Sequence, residues 1–320
     1  MSEVHGALTG PTDLGGIVDA VIALYRRRPG LILGVSAVLQ VPAALVTAFM
    51  AAPLPGRIVD LLGFDPFDPN LKTLPTDIPV PSTADLLSLA GPLALIALIG
   101  LVTGWLTTAA LGLAVGRLGM GEALTVGRTY AGLWHGLGRL LITMAVYLAA
   151  MVALWAVAIL AGALPFVISP SAVSGGLFAF AGILAFAAVL VASIFISIRW
   201  TFWPQVVLLE GAAGIAALAR SWRLVAGSTW RVVGYTLLFT LVAGVLSGVL
   251  VQLGGVLVDL IANDAQGAMD TLLSFLVRIV ATIMLTPVVP AALTWLYLDL
   301  RLRRGERPSS PEGPRTSSRI

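Results

Sequence analysis

The sequence predicts an all-α, polytopic transmembrane helical bundle of about six spans, with amphipathic helices lying at one membrane interface. Three observations carry that prediction. Hydrophobic residues make up 58% of the 320 and charged residues only 11%, against roughly 45–50% and 25% in soluble domains. Mean hydropathy is +0.98. Apolar runs of the ~20 residues needed to cross a ~30 Å hydrocarbon core recur along the chain, and the basic residues stand mostly beside these runs.

Taken in order, residues 14–25 place Ile17, Val21 and Leu24 at helical spacing with Asp19 off that face, a short amphipathic helix ended by Arg26–Arg28 and Pro29-Gly30. The first span follows over 31–52. Residues 53–85 hold seven prolines and five aspartates, so a solvated loop without regular helix through most of its length is expected. Its Asp65-x-x-Asp68 lacks the closing Glu of a calcium loop. The second apolar region, 86–116, exceeds one crossing and must tilt or begin along the interface. In it Gly100, Gly104, Thr108, Gly112 and Gly116 recur every four residues, which predicts close helix approach. Spans three and four fall at 140–163 and 177–198, joined by an uncharged link around 165–174. The fifth, 232–257, carries a second ladder of Thr240, Gly244, Gly248 and Gln252. The sixth, 272–298, should kink at Pro287 and Pro290. From Arg301 the chain is Arg-, Ser- and Pro-rich, so it divides into one membrane domain over 1–300 and a disordered tail over 301–320.

The best-marked stretch is 208–231, LLEGAAGIAALARSWRLVAGSTWR. At 100° per residue Ile215, Leu218, Ala219, Trp222, Val225 and Ala226 share one face, Arg220 and Arg223 lie to its side, and Gly227 closes the helix. Such a helix is expected in the membrane interface with its arginines reaching lipid phosphates. Glu210 is expected to favour the positive end of the helix dipole, the alternative being that it receives Arg199 or Arg220. Trp200, Phe202 and Trp203 read as an aromatic anchor at the boundary.

Shifting this stretch back by 92 positions sets Gly211 on Gly119, Arg220 on Arg128, Trp222 on Tyr130 and Arg231 on Arg139. Each copy runs into a span. With the amino-terminal helix this predicts three units of interfacial helix plus two spans. Arg128, Tyr130, Arg139, Arg220, Trp222, Arg223 and Arg231 are therefore the candidate contacts for lipid or a partner. Asp259 and Arg278, near the outer ends of spans five and six, are candidates for a structural ion pair.

Sixteen basic residues fall on one side of the predicted membrane and three, Arg57, Lys72 and Arg278, on the other. The positive-inside rule then puts both termini in the cytoplasm. The net charge of +3 is better matched by anionic lipid headgroups than by nucleic acid, because the arginines flank apolar spans. Eighteen of the nineteen basic residues are Arg, a skew that suggests a bacterial chain and hence a plasma-membrane location. The absence of Cys excludes disulfides and thiolate metal sites.

The pieces Ile22-Ala23-Leu24-Tyr25-Arg26-Arg27-Arg28-Pro29, Trp203-Pro204 with Leu208-Leu209-Glu210-Gly211, and Ala217-Leu218-Ala219-Arg220-Ser221-Trp222-Arg223-Leu224-Val225 with Trp230-Arg231 resemble the glycerophosphoryl diester phosphodiesterase membrane-domain family, over about residues 12–300. The resemblance implies a membrane architecture and not the enzyme activity. No His-Arg start with paired Glu metal ligands is present, nor an H-E-x-x-H, G-x-S-x-G or P-loop motif. No cofactor is implied. The expected function is a non-catalytic scaffold or accessory protein contacting anionic lipid, or a membrane protein partner, through interfacial helices. A permease for a small or lipid-like substrate is the alternative.

Overall fold

The computed structural model describes residues 13–64, 82–119, 122, 124–168, 176–262 and 268–306, with side chains left aside at 161–168, 176–179, 261–262, 268 and 270. All regular structure among them is helical: α1 (Leu14–Arg27), α2 (Pro29–Ala51), α3 (Leu54–Leu62), α4 (Thr83–Gly119), α5 (Val126–Ile168), α6 (Gly176–Arg199), a single turn α7 (Trp203–Gln205) continuing as a π-helical turn (Val206–Glu210), α8 (Gly214–Val225), α9 (Thr229–Ala262), α10 (Ala268–Leu285) and α11 (Val288–Arg303). Six stretches among the described residues are long and apolar enough to cross a membrane. This is a multi-pass membrane protein.

Local sequence accounts for most of the boundaries. Asp13 caps α1 by accepting the Gly16 N–H at 2.9 Å, and the expected face of Ile17, Val21 and Leu24 is buried. Ser82 and Asp85 start α4 as a reciprocal capping box, the Asp85 N–H donating to the Ser82 hydroxyl and the Asp85 carboxylate accepting the Ser82 N–H at 3.0 Å. Pro287 breaks the sixth span between α10 and α11, as its missing donor requires. Within the loop expected after the first span, nine residues form α3. Pro53 and Pro55 fall at the start of that helix, where no N–H is needed, and Gly63 ends it at φ +72°. Asp65, Asp68 and Lys72 lie outside the described residues.

The chain's contacts gather into two compact units, one from Met1–Ile32, Ala109–Leu246 and Thr286–Ile320, the other from Leu33–Thr108 and Ser247–Leu285. In unit 1, α5 packs on α6 and α8, and α11 packs on α1 and α8. α11 is buried along nearly its whole length, from Pro290 to Leu300. In unit 2, Gln40 donates to the Thr107 hydroxyl at 3.4 Å.

The glycine ladders need correction. A Cβ placed on Gly100, Gly104, Gly244 or Gly248 would meet nothing within 4 Å, so these positions do not support close packing. The first ladder is used only at its carboxyl-terminal end, where Gly116 would carry a Cβ to 2.9 Å from the Leu209 methyls and Gly112 to 3.4 Å from Thr294 Oγ1. The first residues of the expected tail are ordered. α11 continues to Arg303, and residues 304–306 fold back onto α8; 307–320, including Arg307, Arg315 and Arg319, lie outside the described residues.

Candidate functional site

The arginine-bearing end of unit 1 is built around α8 and the turn before it. The segment expected at 211–226 is a helix over Gly214–Val225, but its protein-facing side is rotated from the expected one. Ala217, Leu218, Ser221, Leu224 and Val225 are buried, while Ile215 is 74% and Trp222 36% exposed. Ser221 fixes this face by accepting the Phe202 N–H at 3.2 Å and donating to the Arg199 carbonyl at 3.0 Å. Phe202 and Trp203, expected as an anchor, are buried instead, Phe202 lying against the Tyr297 ring. Trp222 meets Phe195 edge to face at 5.9 Å, and Arg199 lies 5.1 Å from both ring centres, a cation–π clamp between α6 and α8.

Glu210 does not cap α8. It ends the π turn, and Gly211 at φ +77° turns the chain away. Its carboxylate accepts the Arg220 guanidinium at 2.8 and 3.3 Å and the Tyr297 hydroxyl at 2.6 Å, with Arg301 at 3.7 Å. Glu306 closes the cluster from the carboxyl-terminal side by pairing with Arg220, and with Arg301 at 3.5 Å. Arg304 donates to carbonyls at the carboxyl-terminal end of α8, those of Arg223, Leu224 at 3.2 Å and the cap residue Ala226 at 3.1 Å. Arg220 is thus an internal strut and not a free headgroup ligand. Arg231 is likewise turned inward, 3.8 Å from the buried Asp299 and donating to the Tyr235 hydroxyl at 3.3 Å. Arg223, by contrast, has no side-chain partner among the described residues.

The Arg220 hydrogen bond holds the Glu306 carboxyl below its ordinary value of 4.5, and the same bond, followed by that to Glu210, raises Arg220. A carboxyl depressed in the folded state contributes stability above its unfolded pKa and loses that contribution as pH falls through the folded pKa. We therefore expect the stability difference between wild type and Glu306→Gln, read as apparent Tm in detergent, to be constant from pH 7 to about 5 and to shrink below 4.5. A difference unchanged down to pH 3 would exclude the clasp.

The second copy of the arginine pattern is arranged otherwise. No separate helix forms there: Val126–Arg139 are the first turns of α5 and continue into the span. The reason is local. Ninety-two positions before Gly227, whose φ of +85° ends the helical turn after α8, the chain has His135, which does not readily adopt that conformation. His135 instead stays helical, its Nδ1 2.7 Å from the Ala131 carbonyl. A pocket of about 480 Å³ opens here, with Arg128, His135 and Arg139 on one face of α5 and Arg117 from the end of α4. Arg139 donates to the Gly211 carbonyl at 3.1 Å, and Arg117 meets Glu122 loosely at 3.9 Å. Arg128 has no side-chain partner among the described residues, whereas Tyr130 is half-buried on the same helix.

Sequence reasoning missed Asp299, Tyr297 and Glu306, which lie up to 96 residues from the side they complete. The only signal was the i, i+4 pair Asp299 and Arg303, which does form, at 2.8 Å. The expected pair of Asp259 and Arg278 does not form. Both side chains are exposed in unit 2 and no ion pair joins them. Among the described residues no group of three or more His, Asp or Glu is placed to hold a metal ion.

Residues 14–300 match the family described as Domain of unknown function (DUF7847). The chain belongs to this family. The match names no glycerophosphoryl diester phosphodiesterase membrane domain. No curated protein and no solved structure matches the chain.

Proposed function

We propose that this protein is a non-catalytic scaffold or accessory component of a bacterial plasma membrane, with both termini cytoplasmic, whose helix α8 rests on anionic lipid at the inner surface. The outer face of α8 carries this reading. Ile215 and Trp222 remain exposed although they are among the most apolar residues of the helix, and Arg223 beside them is unpaired. Trp134 on α5 and Trp230 on α9, 76% and 86% exposed, add further rings suited to the headgroup region. An apolar stripe flanked by a free arginine fits a lipid surface better than bulk water. Kinship of this family with the glycerophosphoryl diester phosphodiesterase membrane domains is part of the proposal, and rests on the 203–231 residues quoted above.

Hydrogen exchange over 214–225 in nanodiscs tests it. Protection should be greater in phosphatidylglycerol than in phosphatidylcholine, and Arg223→Gln should remove roughly fivefold of that difference, the value of ~1 kcal/mol per surface arginine. Arg220→Gln should lower protection in both lipids alike, because its partners are internal. Equal wild-type protection in the two lipids would overturn the lipid reading and leave α8 to a protein partner.

The alternative, a permease, draws on the broken sixth span and on Gln205, buried beside the π turn with neither amide atom hydrogen-bonded.

A further inference from the structure

We propose that the pocket between the end of α4 and the first turns of α5 is a discrete binding site for the phosphate group of a phosphate ester, held by Arg117, Arg128 and Arg139 with His135. It deepens the reading above and rests on it only for the placing of the pocket at headgroup level.

The stripe is set by helix geometry. His135 and Arg139 follow Arg128 by seven and eleven residues, so all three project within about 20° of one line along α5. Arg117 reaches the same space from α4 because Gly132 has no side chain. A Cβ there would stand 2.9 Å from a Leu113 methyl and 3.7 Å from Arg117 Nη2. The bottom of the pocket is fixed by Arg139, whose Nη1 rests on the Gly211 carbonyl and leaves the rest of the fork open. Gly211 is required twice, for its positive φ and because a Cβ would come to 3.0 Å from that nitrogen.

Comparison of the two arginine copies shows that this charge has not been cancelled. In the third unit Arg220 and Arg231 face Glu210, Glu306 and Asp299. In the second unit their counterparts Arg128 and Arg139 meet no acid among the described residues. The position matching Glu210 is Leu118, and the one carboxylate that lines the pocket among the described residues, Glu122, is engaged loosely with Arg117, both side chains 37% exposed. Three guanidinium groups against one carboxylate leave the pocket cationic whatever the charge of His135.

Planar guanidinium forks converging from two helices suit a tetrahedral oxyanion with several acceptor oxygens better than a single carboxylate. Leu113, Leu124 and Leu208 line the remainder, an apolar wall for the organic arm of an ester. The same chemistry serves a lipid headgroup entering from the bilayer or a phosphate compound arriving from water.

Full-length protein in phosphatidylcholine nanodiscs would be titrated with inorganic phosphate, and a second set of nanodiscs would carry phosphatidylglycerol. Hydrogen exchange of residues 124–139 and calorimetry would be read in both. We expect protection of 124–139 in at least one arm, with Arg128→Gln weakening binding roughly ten- to hundredfold at unchanged Tm, since its side chain holds nothing else. Protection with phosphatidylglycerol alone identifies a headgroup ligand; binding of inorganic phosphate identifies a site open to soluble phosphates. Absence of both, equal binding of chloride, or equal weakening by Arg223→Gln on α8 would overturn the proposal. Because α8 is followed separately at 214–225, loss of its lipid dependence with retained binding at 124–139 would overturn only the function proposed above.

Discussion

Replacing Glu210 by Ala is expected to destabilise the protein by roughly 2–4 kcal/mol, the cost of removing the shared acceptor of a partly buried charged cluster. The carboxylate is only 18% exposed and serves three side chains from two helices. Without it Arg220 keeps Glu306 alone, the hydroxyl of Tyr297 loses its acceptor inside the bundle, and Arg301 loses half of its counter-charge. The cost stays well above that of a surface pair, where solvent and salt leave ~0–1 kcal/mol. Glu210→Gln should cost less, because an amide oxygen still accepts from Tyr297 or Arg220. Denaturant titration in mixed micelles with the two variants side by side measures both. An Ala variant no less stable than Gln would mean that the cluster is solvated and contributes little.

The membrane architecture was legible because its signals are local. Apolar run length and the Pro29, Pro287 and Gly227 stops each act within a few residues of where they stand. The buried face of α8 was not legible for a physical reason. α8 carries apolar residues on both sides, Leu218 and Leu224 buried and Ile215 and Trp222 exposed, so hydrophobic periodicity locates the helix without telling which side packs on protein. The discriminating residues were the small and hydroxyl-bearing Ala217 and Ser221, which allow close approach and bond to the 199–202 turn. Of the candidate arginines, Arg220 and Arg231 left the ligand set once Glu306 and Asp299 were placed beside them, and no pattern of spacing could have supplied that contact. Arg128 and Arg139 stayed in it, joined by Arg117 and His135. Both arginine patterns were equally visible in the sequence; Glu210, whose counterpart is Leu118, and the acids brought in from α11 and the turn after it distinguish the satisfied copy from the open one.

Gly254→Ala is expected to be the most damaging glycine substitution in unit 2. A Cβ there would fall 2.1 Å from Val277 Cγ1, 3.0 Å from Cγ2 and 3.1 Å from Cβ. Val277 cannot swing away cheaply, since branching at Cβ leaves it one favoured χ1 rotamer in a helix. Either α9 and α10 must separate or a strained rotamer must be adopted, an overpacking cost of about 1–3 kcal/mol. Gly244 lies ten residues earlier on the same helix and has nothing within 4 Å of its Cβ direction, so Gly244→Ala should be neutral or slightly stabilising. The sequence ladder marked Gly244 and left Gly254 out, because four-residue spacing marks small residues without saying what faces them. Val277→Ala in the Gly254→Ala background removes the colliding methyls and should restore most of the loss, while Val277→Ala alone costs a little for the space it opens. Apparent Tm in detergent for the four variants and wild type decides the matter: equal stability of Gly254→Ala and Gly244→Ala, or no recovery in the double variant, would show that α9 and α10 are not in contact at this register.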